Sequence, residues 1–151
     1  MSVVEVIVGC SILLLGFLAL MASYRVYIQS TFSGISRIQS SYLLSEGAEV
    51  ARILRDTNYN NIKNLSTTTS YYINWNGTAW ATSTSPSMVD GVFQRKISVS
   101  DVFRDSNSNI VSSGGTYDSQ IKNITISVSW RDSNATTTKS ISTYLSNIFN
   151  D

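Results

Sequence analysis

Two places in this sequence set oxygen-bearing side chains where they could do chemistry. One is Glu5, an acid at the head of a long apolar run. The other is Asp105-Ser-Asn-Ser-Asn109, in which Asp105, Asn107 and Asn109 occupy alternate positions, as the first ligands of a calcium loop do. That loop also needs a glycine at its sixth position and a closing glutamate. Ile110 stands at the sixth position here, so the expected form of the segment is a hairpin turn. The chain has no histidine, which excludes catalytic Ser/His and Cys/His arrangements. No glycine-rich phosphate loop and no cysteine cluster occur. The expectation is a non-enzymatic protein with no catalytic residues, no cofactor and no metal.

Glu5 is the sharper of the two signals. From Val6 to Tyr24 the chain is apolar, and Glu5 is the only charged side chain before Arg25. As a helix that run is about 29 Å long, close to the hydrocarbon thickness of a bilayer. A carboxylate inside a bilayer is costly and asks for a named partner. The nearest cation is a free α-amino group at Met1, one helical turn away on the same face. Leaving either charge unpaired in an apolar setting is unfavourable. An amine supplied by a neighbouring copy would therefore fix register as well as charge. The alternative is a Glu5 at the membrane interface, solvated by headgroups.

The elements that position these groups follow from periodicity. Past Arg25, apolar residues recur at helical steps through Ile28, Phe32, Ile35, Ile38 and Tyr42. Leu44, Ala48, Ala51 and Leu54 continue the pattern with a shift of face. No proline interrupts the chain before Asn58, so one helix about 80 Å long is expected. Residues 1–24 form its membrane-length half and residues 25–58 its amphipathic continuation. Gly16 is the candidate point for local unwinding, since an interior glycine costs up to about 1 kcal/mol against alanine. The other reading of Gly16 is close approach of neighbouring helices. Cys10 lies in the apolar helix as a small packing residue, and one cysteine leaves no intrachain disulfide.

Residues 59–151 read as a β-rich head. In the loop-and-hairpin stretch 59–90, Ser70–Trp75 and Thr78–Thr82 are expected strands around the turn signal Asn76-Gly77. In the sheet region 91–148, three segments alternate. Phe93, Ile97 and Val99 share a face that Arg95 interrupts. Ile124, Ile126, Val128 and Trp130 share one cleanly, and Ile141, Thr143 and Leu145 share a third. The fold class is α+β, a long helix packed on an antiparallel sheet. Charged residues make up 14% of the chain and the net charge is +1, which gives no global electrostatic argument for nucleic acid.

Ser2-Val3-Val4-Glu5-Val6-Ile7-Val8 followed by an apolar helix resembles the mature N-terminus of type IV pilins and pseudopilins. Ser45–Tyr59 is similar to the end of the long helix in pilin-like proteins, with its acid-Gly-x-acid run before Arg-x-x-Arg-Asp-x-Asn. The strands between Asp90 and Ile148 look similar to the sheet of minor-pilin-type proteins. The chain departs from many pilins in having Ala22 where they carry a proline and in lacking a C-terminal disulfide.

The resemblance implies that Met1 is the residue left by leader cleavage and is N-methylated. It implies a Met1–Glu5 assembly salt bridge between subunits. It implies filament-core packing by Val6, Val8, Ile12, Leu13, Leu15, Phe17 and Leu18. The partners implied are further copies of the chain, a prepilin peptidase with the pilus assembly machinery, and the inner membrane before assembly. The location implied is a cell-surface filament serving adhesion, motility or DNA uptake, with DNA or a host surface as a further partner. Two other readings stand beside it. One is a minor pilin or pseudopilin that primes or caps a filament. The other is a single-span membrane protein with an extracellular β-rich binding domain.

Overall fold

A computed structural model describes residues 2–132 and 135–149. The chain divides into two units, Met1–Ile38 and Gln39–Asp151. A single helix, α1 (Val3–Thr57), supplies all the regular structure of the first and the opening element of the second. No proline breaks it, and its glycines at 9, 16 and 34 have open space around them.

In the second unit, α1 is followed by a short helix α2 (Asn60–Lys63) and six strands: β1 (Tyr71–Trp75), β2 (Trp80–Ser83), β3 (Gln94–Arg104), β4 (Ile110–Val111), β5 (Thr116–Asp132) and β6 (Ala135–Ser146). All pairings are antiparallel, in the order β2-β1-β3-β5-β6, with β4 on the far end of β3. This is the expected α+β arrangement of a long helix against an antiparallel sheet. Ile97 stands opposite Ile126 and Val99 opposite Ile124. Ile124, Ile126, Val128 and Trp130 are all buried, while Thr125, Ser127 and Ser129 between them are not. That period of two is what gives the sheet one apolar face. Fully burying each large aliphatic side chain is worth about 1.5–3 kcal/mol.

The stripe of α1 that meets this face consists of Ser40, Leu44, Gly47, Val50, Ala51 and Leu54. The sequence pattern located Leu44, Ala51 and Leu54. It missed Ser40, Gly47 and Val50, which sit at helical steps but are small, polar or off the chosen rows. Ile28, Phe32, Ile35, Ile38 and Tyr42 remain exposed. Gly47 marks the closest approach. A Cβ there would lie 2.8 Å from Ile126 Cγ2 and 3.2 Å from Arg95 Cδ.

Several local features depart from the simplest reading of the pattern. Helix α1 does not stop on a left-handed residue: among the described non-glycine residues only Asp90 and Ser108 have positive φ. The reason is that the chain re-enters a helix at once. Asn58 N–H still donates to Leu54 O at 3.3 Å, and Asn58 Oδ1 accepts from Asn60 N–H at 2.8 Å, which opens α2. The β1–β2 hairpin is shorter on its return side than expected. Asn76 Oδ1 accepts from Thr78 N–H and Ala79 N–H, so those residues belong to the turn, with Gly77 at φ +97°. The strands β5 and β6 are longer than the apolar alternation alone shows, because their outer ends are polar.

Candidate functional site

The helix begins on a local capping arrangement. Ser2 precedes the first helical residue, and its Oγ accepts from Val4 N–H at 3.4 Å. Its carbonyl accepts from Glu5 N–H at 3.0 Å and Val6 N–H at 3.3 Å. Glu5 is therefore the third helical residue in a Ser-x-x-Glu run, the spacing of a capping box. A carboxylate there also complements the positive end of the helix dipole. The sequence carried this signal, but the reading of Glu5 as a charge needing an ionic partner passed over it. Met1, the expected partner and methylation site, lies outside the described residues.

None of the described residues up to Ile38 is buried. Val6, Val8, Ile12, Leu13, Leu15, Phe17 and Leu18 are all exposed, and at 100° per residue they surround the helix. A helix apolar all round is built for lipid or for a ring of other helices, not for one protein face. Two of its hydroxyls are satisfied within it. Ser11 Oγ donates to Ile7 O at 2.8 Å and Ser23 Oγ to Ala19 O at 3.0 Å. Such back-bonding leaves neither serine hydroxyl asking for water. The helix is long and apolar enough to cross a membrane.

Among the described residues, charged side chains gather against the core of the head at a helix–sheet seam and at a bulge in β5. At the helix–sheet seam, Arg95 is buried, and its Nη1 lies 2.6 Å from Glu46 Oε2. Its guanidinium also lies 5.4 Å from the Trp80 ring centroid. The arginine that breaks the apolar face of β3 thus makes an ionic contact between the sheet and α1. Towards the end of α1, Glu49 pairs with Arg52 at 2.9 Å and Arg55 with Asp56 at 2.7 Å.

The second cluster depends on an irregularity that the sequence did not reveal. The β3–β5 register passes from Asp101↔Lys122 to Val102↔Asp118, so residues 119–121 are extra on β5. This brings buried Lys122 against Asp101 and within 3.0 Å of Tyr117 Oη. Tyr59 is buried beside it and donates its hydroxyl to Ser119 O at 3.4 Å. Asp118 accepts from Arg104 Nε at 2.7 Å and Gln120 N–H at 2.9 Å. The Arg104 hydrogen bond holds the Asp118 carboxyl below its ordinary range.

Burial pulls the Lys122 ammonium down, but its bonds to Asp101 and Tyr117 more than offset this and raise it. Burial raises the Tyr59 phenol, against the lowering effect of the Lys122 charge. Both groups hold protons in the folded state that the unfolded chain gives up from about pH 10 upward. Their contribution is present below that pH and is lost as pH rises through the folded-state values. The urea midpoint of the full chain is therefore expected to fall above about pH 10, with Lys122→Met flattening the fall. A wild-type midpoint that does not drop in that range would count against this cluster.

Asp105 does not present free ligands. Its Oδ1 accepts from Asn109 N–H and Asn107 N–H, both at 2.9 Å, and its Oδ2 from Asn109 Nδ2 at 3.2 Å. Those bonds, led by the one from Asn109 N–H, lower the carboxyl below its usual range. The segment is the hairpin turn expected of it, between β3 and β4.

Comparison with models of protein families, with characterised proteins and with solved structures finds no match for this chain.

Proposed function

We propose that this chain is the structural subunit of a type IV pilus-like filament, polymerising through its N-terminal helix. The observation that carries the reading is the exposure, on every side, of a membrane-length apolar helix that continues unbroken into a helix–sheet core. Before assembly the bilayer would cover the apolar half. In the filament, neighbouring helices would replace lipid, driven by the same removal of apolar surface from water. Each copy would offer one patch to a different patch on the next, a heterologous contact that does not close and so extends as a helix. The Glu5 carboxylate would meet the methylated Met1 amine of a neighbour. Adhesion, motility and DNA uptake are the roles such a filament would serve.

The Ser2 cap and the Ser-x-x-Glu spacing support a second reading, an ordinary membrane anchor in which Glu5 only starts the helix. Two substitutions separate them. Glu5→Gln keeps a side chain suited to a capping box but removes the charge, whereas Glu5→Ala removes both. If Glu5 pairs between subunits, both variants insert in the membrane and neither enters sheared filaments. Filaments of normal yield from Glu5→Gln would reject the pairing. Mass spectrometry of the N-terminal peptide gives the independent check, because the pilus reading requires a methylated Met1.

A further inference from the structure

The head carries a groove of about 410 Å3 between the last turns of α1, α2 and the β1–β2 hairpin. Ile53, Thr57, Asn61, Trp75, Thr78 and Trp80 line it. Trp75 is 54% exposed, although it belongs to a strand whose neighbours Tyr72 and Ile73 are buried. It meets Trp80 edge-to-face at 5.4 Å between ring centroids. No ionisable side chain lines the groove among the described residues.

We infer that this groove binds a neutral sugar ring. The chemistry of the lining selects that occupant. An exposed indole offers a flat, polarisable surface to the C–H face of a pyranose. Around it lie uncommitted hydrogen-bonding groups of both kinds. The Thr78 hydroxyl and the two indole N–H groups have no partner among the described residues. Asn61 donates through Nδ2 to Leu54 O at 3.1 Å, which leaves Oδ1 open as an acceptor. An uncharged ligand rich in hydroxyls matches this set, whereas an anionic one would find no cation. Arg95 lies near Trp80 but is buried and paired with Glu46.

The site is also held in shape before any ligand arrives. Trp80 is held by contacts with both Arg95 and Trp75. The hairpin tip is tied by the two bonds to Asn76 Oδ1. A preformed aromatic platform reduces the ordering cost of binding. The volume falls within the range of small-molecule sites.

This inference stands apart from the filament reading and is tested on the full chain in a zwitterionic detergent, since sugar-headed detergents would compete. The probes are uncharged and sialylated oligosaccharides on one array, followed by tryptophan-fluorescence titration with the uncharged glycan bound best. At least one uncharged glycan is expected to bind. Trp75→Ala should weaken that binding at least about tenfold. Thr78→Val should weaken it less, and both variants should keep a cooperative unfolding transition. Binding confined to sialylated glycans, or no glycan binding, overturns the inference. So does full binding by Trp75→Ala. Loss of self-association in Trp75→Ala, with no glycan bound by the wild type, would make the groove a subunit contact and overturn it equally.

Discussion

Glu46→Ala is expected to destabilise the head by about 2–3 kcal/mol, read as a lower urea midpoint of tryptophan fluorescence. The variant leaves the Arg95 guanidinium under the helix without its carboxylate. Arg95 is only 3% exposed, and its Nε already lacks a partner among the described residues. Breaking a fully buried pair costs more than this. Here the Glu46 side chain is 45% exposed, so water recovers part of the loss. Arg95→Met in the Glu46→Ala background should restore most of the stability, because an apolar chain of similar length keeps the packing and carries no charge. The coupling between the two sites is then measured by the double-mutant cycle. An unchanged midpoint for Glu46→Ala would mean that solvent replaces the carboxylate at no cost.

Gly47→Val is expected to cost about 3 kcal/mol, near the upper range for overpacking a filled core. The first added carbon already overlaps Ile126 Cγ2, a branched side chain with no measurable exposure. It also crowds Arg95 Cδ, so the salt bridge must shift with it. Gly34→Ala supplies the contrasting sign. Nothing lies within 4 Å of a Cβ there, and alanine favours the helix by up to about 1 kcal/mol. Circular dichroism at 222 nm during thermal unfolding would separate the two. Stabilisation by Gly47→Val comparable to that by Gly34→Ala would show that helix propensity, not the close contact, governs position 47.

The parts of this molecule that were legible in its sequence are those written as regular periods. The unbroken apolar run and the missing prolines foretold α1. The alternation Ile124-x-Ile126-x-Val128-x-Trp130 foretold the centre of β5 and its inward face. The parts that were not legible depend on pairing between distant segments. Arg95 read as a flaw in β3 until Glu46, 49 residues earlier, was placed beside it. The extra residues 119–121 carry no turn signal, yet they decide that Lys122 meets Asp101 and Tyr117. Gly47 lay in a motif singled out for its acids, and its function as the contact point appears only when Ile126 is opposite. At the N-terminus the reverse holds. Ser2 and Glu5 are three residues apart, and local capping chemistry was readable there without any partner.

The distance in sequence between Gly47 and Ile126 also sets a clock. The two differ by about 79 positions, which a ribosome adding about 5–20 residues per second covers in about 4–16 s. For that interval the α1 stripe of Leu44, Val50, Ala51 and Leu54 has been made and its principal cover has not. The β1–β2 hairpin emerges earlier but contributes only Ile73 to the fully buried cluster, with Tyr71 and Trp80 beside it. Nascent chains caught between those two moments present an apolar helix face to whatever surrounds them. The yield of folded head is thus governed by how quickly β3 and β5 arrive, and slowing synthesis between Trp80 and Ile126 should lower it.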